Sequence, residues 1–190
     1  MKPALLVVDV QNDFCPGGAL AVQEGDKIIP IINELIPQFE IIVYSRDWHP
    51  LNHISFGNPP KFTDKSWPVH CVANTRGADF HPELLFTLNA LIIEKGTAVD
   101  EEAYSAFQGT PLAQSLHKLA VDTVFVTGLA TDYCVKFTAL DALKEKLKVY
   151  LVQDACKGVD NPAGTAKKAL DEMREAGVQI INANEVENIL

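Results

Sequence analysis

Four short apolar runs of this 190-residue chain end on, or just before, residues that can do chemistry. Asp9 closes the first, Asp47 the second and Lys95 the third, and Cys134 follows the fourth. A carboxylate, an ammonium and a thiol supply the base, the supporting charge and the nucleophile of acyl transfer through a covalent intermediate. Taken singly, Asp9 and Lys95 have ordinary explanations, because Asp near a strand end often bonds turn amides and Lys there is usually solvated. Their shared position is what points to a site.

Cys134 carries a local argument of its own. The stretch "TDYCV" reads as a helix start with Thr131 as N-cap, which puts the sulfur in the first turn beside unpaired N–H groups. The helix dipole there favours thiolate. The preceding "LAT" turn can aim amide N–H groups at the space over the sulfur, as an oxyanion hole requires. Cys71 lacks such a setting, and Cys15 and Cys156 read as buried small hydrophobes or incidental thiols. With no C-x-x-C pair there is neither a zinc knuckle nor a dithiol motif.

A second constellation lies in "DWHPLNH" and "SWPVHC", which supply Asp47, His49, His53 and His70. A carboxylate with imidazoles suits Zn, Fe or Mn. Asp-x-His alone is a weak signal, and its weight comes from lying beside the strand-end residues. Phe14, Trp48 and Trp67 are core or loop anchors in the ordinary case, but around a cleft they can stack on a flat ring; Phe14 and Trp67 are placed in the pocket.

The elements that must position these groups are legible as a pattern. "ALLVVD", "IIVYSRD", "NALIIEK", "DTVFVTG", "KVYLVQD" and "VQIINA" are nearly continuous in apolar character, as strands buried on both faces require. Helical faces alternate with them: Ile28, Ile32, Leu35 and Phe39; then Leu112, Leu116 and Leu119 behind "TP"; then Ala166, Leu170 and Met173 between Asn161-Pro162 and Gly177. The alternation predicts a three-layer, Rossmann-like α/β fold, with a mostly parallel six-stranded sheet and helices on both faces. In such a sheet, ligands bind at the carboxyl ends of the strands. Residues 47–88 show no sustained periodicity and are too long for an ordinary connection, so they read as a binding loop or lid.

Composition narrows the function. Twenty-five acidic against sixteen basic residues give a formal charge of −9 with no basic run, which argues against nucleic acid and anionic membranes as partners. No apolar run approaches the roughly 20 residues that span a bilayer, and "MKPALLVVDVQNDF" lacks a small-residue cleavage site, so a cytoplasmic protein is expected. A 47% apolar content supplies the core of one domain.

The segments "VVDVQNDF", "SRDWHPLNHISF", "WPVHCV", "EKG" and "VTGLATDYCV", in this order and over nearly the whole chain, resemble the nicotinamidases of the isochorismatase-like cysteine hydrolases. The resemblance implies one isochorismatase-like domain over residues 1–190 and a catalytic set of Asp9, Lys95 and Cys134. It also implies one divalent metal on Asp47, His49 and His70, zinc first with iron or manganese as alternatives, and His53 as a candidate fourth ligand. A cis peptide before Ala130 and an oxyanion hole from the Ala130 and Cys134 amides follow from the same source, as does a substrate ring held between Phe14 and Trp67. The implied reaction turns nicotinamide into nicotinate and ammonia in NAD salvage, with pyrazinamide as a second substrate. Another amidase of the superfamily, acting on a carbamoyl or ureido compound, is the neighbouring alternative; a non-catalytic metal-binding protein is the distant one. Whether the chain forms a homo-oligomer is left open.

Overall fold

A computed structural model describes residues 1–62 and 66–190; residues 63–65 of the expected 47–88 loop lie outside the described residues. The six apolar runs form β1 (Pro3–Val8), β2 (Ile41–Asp47), β3 (Leu91–Lys95), β4 (Thr123–Leu129), β5 (Lys148–Lys157) and β6 (Gln179–Ile181). They make one sheet in the order β3-β2-β1-β4-β5-β6, with every pairing parallel. Every residue of β4 is buried, as is all of β1 after Pro3, which is why these strands read as unbroken apolar runs.

Alternate residues of each strand feed two cores. Leu5, Val7, Phe125 and Tyr150 pack on one face against Ile29, Ile32 and Leu35 of α1 (Ile29–Leu35). Ala4, Leu6, Val8, Val124 and Val126 pack on the other face. There they meet Leu112 and Leu116 of α2 (Leu112–Lys118), Ala139 and Ala142 of α3 (Lys136–Lys144), and Met173 of α4 (Thr165–Ala176). The result is the expected three-layer α/β arrangement.

The helix ends differ in detail from the sequence reading. The N-cap of α2 is Pro111, one residue later than expected, although Thr110 Oγ1 still accepts from Leu112 N–H at 3.3 Å. Leu119 lies past the end of that helix and is exposed rather than core. α4 begins after Gly164, which has φ 96°, instead of at Pro162. Gly177 caps its C-terminus with φ 110°, as expected of a left-handed cap. No described helix is long and apolar enough to cross a membrane.

Candidate active site

The strand order sets the carboxyl ends of β3, β2, β1 and β4 side by side, so Lys95, Asp47, Asp9 and Cys134 become neighbours. Asp47 and Lys95 are register partners across β2 and β3. Asp9, one residue past β1, has φ 50°, a left-handed conformation that Asp tolerates better than most residues. Its N–H still donates to the Ser45 carbonyl at 3.1 Å, and its Oδ1 accepts from Ser45 Oγ at 2.7 Å.

Lys95 joins the cluster. Its Nζ, fully buried, lies 2.9 Å from Asp9 Oδ2 and donates to Asp47 Oδ1, to the Ala103 carbonyl at 3.1 Å and to Cys134 Sγ at 3.4 Å. An ammonium has three N–H groups, and Asp47, Ala103 and Cys134 take all three, leaving Asp9 Oδ2 as an ion-pair neighbour. Burial alone would drive Lys95 toward neutrality, but the carboxylates of Asp47 and Asp9 outweigh it and hold the ammonium charged.

The same balance falls differently on the other members. For Asp47, Lys95 and His49 overcome burial and hold the carboxyl well below the usual range. For Asp9, burial prevails over Lys95, and the nearby charge of Asp47 raises it further. Burial pushes the Cys134 thiol well above its ordinary value; Lys95 opposes this, while Asp9 and Asp47 reinforce it. Against the helix dipole, burial first and then the two carboxylates favour the thiol, so a base is needed to act on the sulfur.

The turn that carries Cys134 also departs from expectation. Thr131 is not an N-cap but the first residue of a π-helical turn, Thr131–Val135, whose N-cap is Ala130 with no side-chain bond. The Ala130 carbonyl accepts from the N–H groups of Tyr133 at 3.0 Å and Val135 at 3.2 Å, and so wraps the chain around Cys134. The Leu129–Ala130 peptide bond is cis, as the family resemblance implies. Gly128, at φ 112°, is required just before it, since a Cβ there would lie 2.0 Å from the Val8 carbonyl oxygen.

Asp47, His49 and His70 bring one donor atom each within 4.8 Å of one another, and all three side chains are buried. His49 Nε2 is 3.5 Å from Asp47 Oδ2, and His70 Nε2 is 3.9 Å from the same oxygen. The Nδ1 atom of each ring is tied to a carbonyl, Gly96 at 2.8 Å and Pro68 at 2.7 Å. A carbonyl only accepts, so each Nδ1 is the donor and each Nε2 faces Asp47, the orientation that metal-binding imidazoles need. Burial pulls His70 down to about 4, which leaves it neutral. The donor set therefore fits a divalent metal.

His53 stands apart from that triple. Its ring stacks on His49 with centroids 4.1 Å apart, its Nδ1 meets Ser55 Oγ at 2.7 Å, and its Nε2 meets the Glu101 carbonyl at 3.0 Å. Both nitrogens are thus engaged.

A pocket opens over the sulfur. Cys134 and Ala130 line it, together with the two aromatics singled out in the sequence, Phe14 and Trp67. Trp48 lies instead under the Arg46 guanidinium, 3.7 Å from its ring centroid. Sequence reasoning missed Tyr104, Tyr133 and Glu102 in the wall. Trp67 Nε1 donates to Tyr104 Oη at 3.1 Å and the Trp67 ring meets Tyr133 edge-on at 5.1 Å, so these side chains form one aromatic frame. Tyr133 is adjacent to Cys134 and could have been suspected; nothing local to Glu102 marks it.

A parallel sheet carrying a cysteine, a lysine and an aspartate at its carboxyl rim defines the class, and the isochorismatase domain profile matches residues 3–185. The chain belongs to the isochorismatase family. It is 44% identical over 201 residues to the nicotinamidase of Acinetobacter baylyi, covering 96% of this chain and 94% of that one. It is 40% identical over 188 residues to the nicotinamidase/pyrazinamidase of Mycobacterium tuberculosis, covering 94% and 97%. The crystal structure of the pyrazinamidase of Pyrococcus horikoshii in complex with zinc superposes with a TM-score of 0.87 at 48% identity, covering 96% of this chain and 99% of that one.

Proposed function

We propose that this protein is a nicotinamidase, a cysteine amidohydrolase that converts nicotinamide to nicotinate and ammonia in NAD salvage and also accepts pyrazinamide. One observation carries the reading: the buried Asp9, Lys95 and Cys134 cluster borders an aromatic pocket that Asp47 and His70 of a metal-fitting triple also line. The substrate ring lies between Phe14 and Trp67 with its carboxamide over Cys134. Asp9 takes the thiol proton, and the sulfur attacks the carbonyl carbon. Lys95 holds the charges of the pair, and the amides of Ala130 and Cys134 receive the oxyanion. Collapse breaks the C–N bond as Asp9 returns the proton to nitrogen, and ammonia leaves. A water that gives its proton to Asp9 then attacks the thioester, and sulfur departs from the acid with a proton restored.

Asp47, His49 and His70 would hold the metal, zinc by preference, given the zinc-bound relative and a donor set of one carboxylate and two imidazoles. When bound, a divalent cation supplies a Lewis-acidic charge at the pocket wall to which a ring nitrogen can be oriented. A cytoplasmic setting is consistent with four free cysteines, which a reducing compartment keeps as thiols. The test is ammonia release by the purified, zinc-loaded protein from nicotinamide and pyrazinamide, set beside carbamoyl and ureido compounds. Turnover of the ring amides is expected; turnover of the ureido set alone would overturn the assignment.

A further inference from the structure

We infer that Gln11 is a positioning residue for Asp47: its side-chain amide stands in for a missing stretch of β1 and fixes the carboxylate that serves Lys95 and the two histidines together. The β1–β2 ladder ends at Val8 and Ser45, followed only by the bond from Asp9 N–H to the Ser45 carbonyl. Asp9 then turns away at φ 50°, and its carbonyl is taken by Gln11 N–H at 2.9 Å. Asp47, the last residue of β2, is left without a strand on that side. A primary amide carries the same donor and acceptor as a peptide group, and Gln11 supplies both. Its Oε1 accepts from Asp47 N–H at 2.8 Å, and its Nε2 donates to the Asp47 carbonyl at 2.9 Å.

The second Nε2 hydrogen goes to the Ala78 carbonyl at 2.9 Å, which ties the end of β2 to the far side of the loop. Gln11 is wholly buried, so none of these bonds is shared with solvent. With β3 pairing on the other side, the Asp47 backbone is held at both edges. Its carboxylate can then divide its work, with Oδ1 on Lys95 and Oδ2 facing the two Nε2 atoms. Displacing Asp47 would disturb the ammonium cluster and the metal donors at once.

The inference rests on the metal reading above, and the experiment separates the two. Zinc affinity of the metal-free protein is measured by competition with a chromophoric chelator, with folding followed by circular dichroism. Gln11→Met keeps the shape and removes the three bonds, and Gln11→Asn, which withdraws the amide by one methylene, carries the same expectation where the methionine variant does not fold. Zinc binding is expected to weaken about 10- to 100-fold, the usual effect of losing a group that orients a ligand. Thr127→Val is the control, since it removes another buried bond of the sheet, from Thr127 Oγ1 to the Leu6 carbonyl at 3.1 Å. It should stay within about twofold of the parent, distant sites being independent. Folded Gln11 variants with parental affinity, or an equal loss in Thr127→Val, overturn the role of Gln11. A parent protein that binds no zinc overturns the metal reading, and this inference with it.

Discussion

Asp9, Asp47 and Lys95 stand at strand ends and Cys134 in the turn just after β4, whereas His49, His53, Trp67 and His70 hang on a segment without a regular ladder. The first group is placed by register: once β3, β2, β1 and β4 align in parallel, their carboxyl ends coincide. The second is placed one hydrogen bond at a time. His49 exchanges backbone bonds with Cys71 and Ala73, Trp67 N–H donates to the Ser55 carbonyl at 2.7 Å, and Cys71 N–H donates to Asp13 Oδ2 at 2.7 Å. The sheet rim holds Asp9, Lys95 and Cys134, proposed for bond breaking, and the loop holds the histidines and Trp67 proposed for binding, with Asp47 of β2 serving both. Changes in the first should therefore act on turnover, and changes in the second on metal and substrate retention.

Cys134→Ala gives the largest expected effect. Loss of the nucleophile should reduce kcat by a factor on the order of 10⁴ or more, while zinc content and the circular dichroism spectrum stay unchanged. A variant that keeps even a tenth of the activity would remove Cys134 from the mechanism. Asp9→Asn comes next, because the amide keeps the shape but cannot take a proton; kcat should fall by about 10² to 10⁴. Mass-spectrometric trapping should find no rapid thioester formation. Rapid acylation in this variant would mean that another group deprotonates the sulfur. Lys95 is a poorer probe, since its removal leaves two buried carboxylates without their cation, a loss of about 3 to 5 kcal/mol that confuses folding with chemistry.

His70→Ala probes the other half of the comparison. It should lower zinc content and ammonia release together, whereas Cys134→Ala lowers only the second. Stoichiometric zinc in both His70→Ala and His49→Ala would make the loop a structural feature and favour the amidases of carbamoyl or ureido compounds.

The contrast also explains what could be read in advance. The rim was legible because a strand buried on both faces is an apolar run, and polar residues mark its end, as Asp9 does after β1 and Ser45-Arg46-Asp47 do at the end of β2. The loop histidines were legible as residue types but not as a set. Nothing in the order of "DWHPLNH" and "SWPVHC" says that His49 and His70 turn Nε2 toward Asp47 while His53 is tied to Ser55 and Glu101. The setting of the Cys134 thiol was only partly legible for a related reason: a local helix dipole is visible in sequence, whereas burial and the charges that β1, β2 and β3 deliver are not. Gln11 stood in a quoted motif, yet its part depends on where β1 stops relative to β2.

The smallest effect is expected where rim and pocket wall are joined through Asp132. This buried carboxylate, inside the turn that carries Cys134, accepts from Val159 N–H at 2.9 Å, Asp160 N–H at 2.9 Å and Thr165 Oγ1 at 2.8 Å. Val159 lines the pocket, so Asp132 couples the nucleophile's turn to a wall of the binding site. Asp132→Asn retains a single acceptor oxygen and turns an NH₂ group toward donors. A lost bond to a charged group is worth about 1.5 to 3 kcal/mol. At about 2 to 4 °C per kcal/mol for a chain of this size, Tm should fall by roughly 3 to 12 °C. The chemistry itself is untouched, since Asp9, Lys95 and Cys134 keep their partners. The kinetic loss should accordingly fall on KM for nicotinamide, with kcat close to the parent's. A large fall in kcat at unchanged KM would show that the turn around Cys134, rather than the pocket wall, is what Asp132 holds in place.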